Sequence, residues 1–109
     1  MKQLTPSQIR KYDVDHKIFC ALSNLESRII LFCIIKNSNS AAEISHITKI
    51  PLSTVYKKIQ EMEDLALVYA HHAVSSETNS KHTKFYKSRI KSADISFQNG
   101  KLKLTLLKN

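Results

Sequence analysis

Pro51 restricts this chain more than any other residue, because it divides Ser40 to Leu67, SAAEISHITKIPLSTVYKKIQEMEDLAL, into two segments that no single helix can join. Proline lacks an N–H and forces the preceding residue out of the α region, which makes Lys49–Ile50–Pro51 a turn. Upstream, Ser40 followed by Glu43 is a capping box whose hydroxyl and carboxylate each accept from an otherwise unpaired backbone N–H. Ala42, Ile44, Ile47 and Ile50 then supply the apolar positions of a short helix. Downstream, Leu52, Val55, Ile59, Met62 and Leu65 recur at the three-and-four spacing of a helix with one buried stripe. The opposite face carries Ser53, Lys57 and Gln60, flanked by Thr54, Tyr56 and Lys58, with no acid before Glu61. Two helices joined by a three-residue turn, the second polar and basic at its start, form the pattern of a helix-turn-helix.

The period changes after Leu67. Residues 68–74, VYAHHAV, are rich in β-formers; 75–80 form a turn cluster; 83–90, TKFYKSRI, predict a returning strand. A hairpin directly after a helix-turn-helix is a wing. Lys81, His82, Lys84, Lys87, Arg89 and Lys91 follow its tip with no acid among them. Charge is correspondingly local: residues 1–80 hold nine Lys/Arg against eight Asp/Glu, whereas residues 81–109 hold eight against Asp94 alone. Cations on such a surface release counterions condensed on a polyanion, which supplies most non-specific affinity.

A second hairpin follows. Ala93, Ile95 and Phe97 alternate with polar neighbours, Asn99-Gly100 signals a two-residue turn, and Leu102, Leu104 and Leu106 alternate on the way out. A two-stranded ribbon is marginal alone, so its apolar face must pack on the domain or on a partner subunit. At the other end, Thr5-Pro6-Ser7-Gln8 is a helix start, and Ile9, Tyr12, His16, Phe19 and Cys20 lie on one stripe. Ser23 with Glu26 predicts the cap of a next helix over about residues 25–36. Ile29 to Ile35 within it is apolar all round, so that helix should be covered on most sides, in part by another subunit. Residues 37–39 are expected to be a polar loop.

The expected architecture is α+β, mainly α: one winged helix-turn-helix domain over 1–109, with an N-terminal helix (5–22), a core (24–90) and a C-terminal hairpin (91–109). At 109 residues and 42% hydrophobic content, one core is the limit. The longest apolar run, Ile29–Ile35, falls short of the ~20 residues that span a bilayer, so no membrane partner and a cytoplasmic location are expected. Cys20 and Cys33, without a CxxC spacing, are expected to be small buried residues in a reducing compartment. His71 and His72 point to opposite faces of a strand, and His82 adds at best a second surface ligand, so no metal is expected. His16 is expected to be partly buried and His46 to lie on a helix surface. No side-chain constellation suits catalysis, and no cofactor or enzyme activity is expected.

The chain resembles single-domain winged-helix transcriptional regulators of the ArsR/MarR-like type, especially the small archaeal ones. The likeness rests on Ala41-Ala42-Glu43-Ile44, on Ser53-Thr54-Val55-Tyr56-Lys57-Lys58-Ile59 and on Leu65-Ala66-Leu67-Val68, and it covers about residues 24–90. It implies a homodimer on double-stranded DNA, with recognition helices (about 52–66) in successive major grooves and wings (about 68–90) on flanking backbone. It implies groove-facing roles for Ser53, Thr54, Tyr56 and Lys57 and wing contacts for Lys81 and Lys84. Cysteine pairs of the metal-sensing branch are missing. Lys57, Lys58, Lys81, Lys84 and Lys87, with His82 beside them, would hold phosphates, while Ser53, Thr54, Tyr56 and Gln60 would reach base edges. Dimerisation has three available surfaces: the first helix, the Ile29–Ile35 helix and the tail hairpin. The first and last are preferred because their apolar faces lie outside the minimal fold. The alternative is a protein–protein interaction module using Glu61, Glu63, Asp64 and the leucine-bearing hairpin. RNA binding is a third reading, weakened by the scarcity of exposed aromatic platforms.

Overall fold

A computed structural model describes the backbone of residues 6–74 and 82–109, and the side chains of 14–72 and 83–109. Thr5, the tip cluster 75–80 and Lys81 lie outside the described residues, as do the side chains of Gln8, Ile9, Tyr12 and His82. The element order is α1 (Pro6–Ser23), α2 (Leu25–Cys33), β1 (Asn39–Ser40), α3 (Ala41–Thr48), α4 (Leu52–Asp64), β2 (Val68–Val74), β3 (His82–Ser88), β4 (Ile90–Gln98) and β5 (Lys101–Lys108). β1, β3 and β2 form an antiparallel sheet in that order, and β4 pairs with β5 in a separate ribbon. This is a winged helix-turn-helix, α+β, with the hairpin appended.

The helix pair has the predicted boundaries and turn, but Leu52, expected in the buried stripe of α4, is 43% exposed at the helix start. Ser40 caps α3, its Oγ accepting from Glu43 N at 3.2 Å. The turn is locked by side chains: Ser45 Oγ donates to Ile50 O and Thr48 Oγ1 to Ile44 O, both at 2.6 Å. Lys49 closes α3 in the left-handed region at φ 63°. Val55, Ile59 and Met62 of α4 are buried against Ile30, Leu31 and Ile34 of the α2 segment and Ile44 of α3. α4 ends with Ala66 at φ 60°, where Ala66 N donates to Glu63 O and Leu67 N to Met62 O. This is a Schellman motif, with both of its end residues, Met62 and Leu67, in the core.

Several expectations need correction. Ser23 does not cap α2; it is the last residue of α1, and its Oγ donates back to Phe19 O at 2.7 Å. Asn24 is the cap, Oδ1 accepting from Ser27 N at 2.9 Å, because α1 and α2 leave only this residue between them. α2 stops at Cys33, since Ile34 leaves helical geometry to bury its side chain fully. Residues 39 and 40, expected as loop and cap, also pair with β3. The returning strand ends at Ser88, and Ile90 opens the ribbon instead. Of the apolar positions in α3, Ile44 is buried but Ala42 and Ile47 face outward.

Among the described residues of α1, Ile18 and Leu22 are buried; of the expected stripe, Phe19 is half-buried while His16 and Cys20 are exposed, 3.4 Å apart. Cys20 thus departs from the buried-cysteine expectation. Cys33 is half-buried, and burial pushes its thiol above the ordinary value. α2 is not covered all round: Leu25, Ile29 and Phe32 form an exposed stripe.

The core assignment makes a sharp contrast within one helix. Ile44→Ala should cost about 2–5 kcal/mol in urea unfolding, as deletion of a fully buried branched chain does. Ile47→Ala, 58% exposed, should stay within about 0.5 kcal/mol. Asn24→Ala should cost about 1 kcal/mol, and Ser23→Ala clearly less.

Candidate nucleic-acid interface

One turn of helix advances 100° per residue, so the buried stripe of α4 dictates what points outward. Ser53, Lys57 and Gln60 stand opposite Val55, Ile59 and Met62, and all three are exposed. Pro51, the N-cap, offers no side-chain acceptor, so the first-turn amides of α4 carry no side-chain cap. A helix end of that kind favours an anion. Lys49, left-handed and exposed, adds a cation to the turn just before it. Helical period does not single out Lys49; a lysine in the turn before such a helix is the sequence signal for it.

The flanks of α4 differ. Tyr56, 53% exposed, lies on the flank towards β3. Burial pushes the Tyr86 phenol of β3 above its ordinary value, and Glu63 and Tyr56 act in the same direction. Thr54 and Lys58 lie on the other flank. Lys58 has a side chain only 17% exposed, its Nζ 4.0 Å from Glu61 Oε2. It faces a shallow cleft shared with Lys17, Cys20, Asn24 and Ser27 of the first two helices. Gln60 is turned down the helix, Nε2 donating to Asp64 Oδ1 at 3.1 Å. The structure therefore groups Ser53, Tyr56 and Lys57, with Thr54 beside them, and sets Lys58 apart.

Strand alternation sorts the wing in the same way. Tyr86 and Ser88 of β3 face the core, and Lys84 continues that face outward, its Nζ 5.6 Å from the Tyr86 ring centre. His72 pairs with Lys84 across the ladder, so an exposed histidine joins the lysine on the face nearer α4. The other face is engaged within the protein. His71 stacks on Phe85 with ring centres 5.9 Å apart and lies 3.0 Å from Ser38 Oγ, and Lys87 Nζ donates to Lys36 O at 2.5 Å. Arg89 lies 5.0 Å over the Tyr69 ring. Lys91 belongs to β4, together with Lys101, Lys103 and Lys108 of β5 on the ribbon. Half of the C-terminal cations are therefore not on the wing. Among the described residues, no three His, Cys, Asp or Glu side chains group closely enough to hold a metal, and no helix is long and apolar enough to cross a membrane.

The Tyr86 environment gives a pH signature. Its folded state favours the neutral phenol, so this contribution to stability is fully present below about pH 10 and lost as pH rises through the raised value. Ultraviolet titration of the protein minus that of Tyr86→Phe should isolate a component titrating above the ordinary tyrosine range. The variant should also lose stability less steeply in alkali.

Comparison with known proteins gives structural matches only. No family model and no curated protein matches the sequence. NolR from Sinorhizobium fredii superposes with a TM-score of 0.63 at 16% identity, covering 81% of each chain. A homodimeric winged helix-turn-helix DNA-binding domain from Mycobacterium bovis, a fragment of a possible ArsR-family transcriptional regulator, gives 0.63 at 18% identity. That match covers 81% of this chain and 75% of the other. At these identities the likeness is one of fold.

Proposed function

We propose that residues 1–109 act as one winged-helix domain that binds double-stranded DNA sequence-specifically, as a homodimeric, cytoplasmic transcriptional regulator. One observation carries this reading. The outward face of α4 holds Ser53 and Lys57 above uncapped first-turn amides, with Lys49 in the turn before it. The adjoining wing face adds Lys84 and His72, and α4 carries no acid before Glu61. A convex helix face of this polarity fits a major groove, and the cations beside it fit the phosphates that border the groove. The similar fold of a homodimeric DNA-binding domain supports the same assignment.

In this reading Lys57, Lys49 and Lys84 fix register through phosphates, with Lys81 and His82 extending that contact along the wing. Ser53, Thr54 and Tyr56 reach base edges or thymine methyls. Gln60, held by Asp64, is the deepest candidate along the helix. Lys58, largely covered beside Glu61, contributes less than Lys57. The exposed apolar ribbon favours one competing reading, a protein-interaction module of a larger complex.

Binding to random and genomic duplexes across a salt series separates the two. A DNA regulator gives salt-sensitive binding with a selected, two-fold symmetric subset; no duplex binding at low salt overturns this reading in favour of the interaction module. Lys57→Ala should weaken all sequences alike and lower the magnitude of the salt slope by about one. Loss of preference for one site with non-specific binding unchanged would make Lys57 a base reader instead.

A further inference from the structure

The ribbon β4–β5 leaves an unusual surface. Its register puts Ala93, Ile95 and Phe97 opposite Leu106, Leu104 and Leu102 on one uncharged face, with Lys101, Lys103 and Asp94 on the other. Ala93 and Leu104 pack on the core, but Phe97 is 65% exposed although its ring meets that of Phe19 edge-on at 5.6 Å. The exposed α2 stripe of Leu25, Ile29 and Phe32 is uncharged as well. Between the two surfaces lies a mostly apolar cavity of about 120 Å³, lined chiefly by Leu22, Leu31, Phe32, Ile35, Ala93 and Ile95, with Arg28 and Lys91 also on its wall. It is comparable in size to the ~150 Å³ apolar cavities that accept a benzene ring.

We propose that this face is the homodimer interface: the ribbon of each copy lies on the α2 stripe of the other, and Phe97 of each copy enters the cavity of the other. The inference rests on the homodimeric reading above and names its surface. Three observations point to a second copy rather than a foreign protein. A largely exposed aromatic ring and a ring-sized, mostly apolar socket occur on one chain, and a two-fold axis fills both sockets at once; a single foreign partner has no reason to match both. Phe97 and Ile95, a socket wall, are two residues apart on the same strand face, so both reciprocal contacts fall close to such an axis. The chain is also too extended for its length. Its radius of gyration is 16.5 Å, with extents of 62 × 25 × 24 Å, where a self-contained domain of this size has about 13 Å. Edge-to-edge pairing of two ribbons is the less favourable packing, because the lysines of β5 set like charges along that edge.

Sedimentation velocity over a concentration series tests the proposal. The wild type should be a dimer, and Phe97→Ala should raise its dissociation constant by roughly thirty-fold or more, as loss of a central aromatic anchor does. Phe19→Ala, which removes only the contact within the chain, and Lys57→Ala on α4 should change it by far less. Ala93→Phe, which fills the socket from inside, should mimic Phe97→Ala while circular dichroism stays unchanged. A monomeric wild type, an undisturbed Phe97→Ala dimer, or equal losses from Phe97→Ala and Phe19→Ala would each overturn the proposal. Duplex binding measured alongside distinguishes its failure from failure of the DNA reading: Phe97→Ala should keep salt-sensitive binding to a half-site while losing cooperative binding to the two-fold site.

Discussion

The buried junction around Ser88 is what the rest of the molecule depends on. Ser88 N donates to Ile34 O at 2.9 Å, Arg89 N to Leu67 O at 2.8 Å, and Asn109 N to Arg89 O at 2.9 Å. The Ser88 hydroxyl, almost fully buried, donates to Ile90 O at 2.5 Å and accepts from Ile90 N at 3.1 Å. Asn109 Nδ2 joins the Ser88 and Ile35 carbonyls, each at 2.9 Å. The end of α2, the start of the wing, its return and the root of the ribbon therefore share one set of backbone groups. Ile34, Leu67, Ser88 and Ile90 are buried, and an unpaired buried amide or carbonyl is costly, so these segments hold one mutual arrangement.

From that junction the two working surfaces diverge. The wing runs out beside α4 and aligns Lys84 and His72 with the helix that presents Ser53 and Lys57. The ribbon runs out along α1 and α2 and presents hydrocarbon. The C-terminal cations are divided between the two branches, and on the ribbon alternation keeps Lys101 and Lys103 off the apolar face. A basic surface and an uncharged surface can coexist on so small a domain because strand alternation separates them.

How much of this was legible depended on sequence distance. The boundaries of the helix pair, its Ser40 cap and the Asn99-Gly100 turn (φ 54° and 75°) follow from contacts within a few residues, and each stands as expected. Strand β1 did not, because two polar residues acquire strand character only by pairing with Phe85 and Tyr86. The cap of α2 lies one residue beyond the serine that the sequence favours: serine and asparagine both cap helices, and only the length of α1 decides between them. At the interface, Lys57 and Ser53 follow from helical period alone. The covered state of Lys58 needed the position of α1 and α2, and the division between Lys84 and Lys87 needed the strand register.

The Ser88 junction also has a consequence in time. Helices α1 to α4 form from neighbours in sequence, whereas the junction joins Ser88 to a carbonyl 54 residues earlier and Asn109 to one 74 residues earlier. Loops of that length close late, and topology of this kind governs the speed of small domains. Before closure, Ile34, Leu67 and Val68 lack their cover and the wing strands show unpaired edges. The most aggregation-prone moment in the life of this chain is thus the interval between a finished helical half and an unfinished seam.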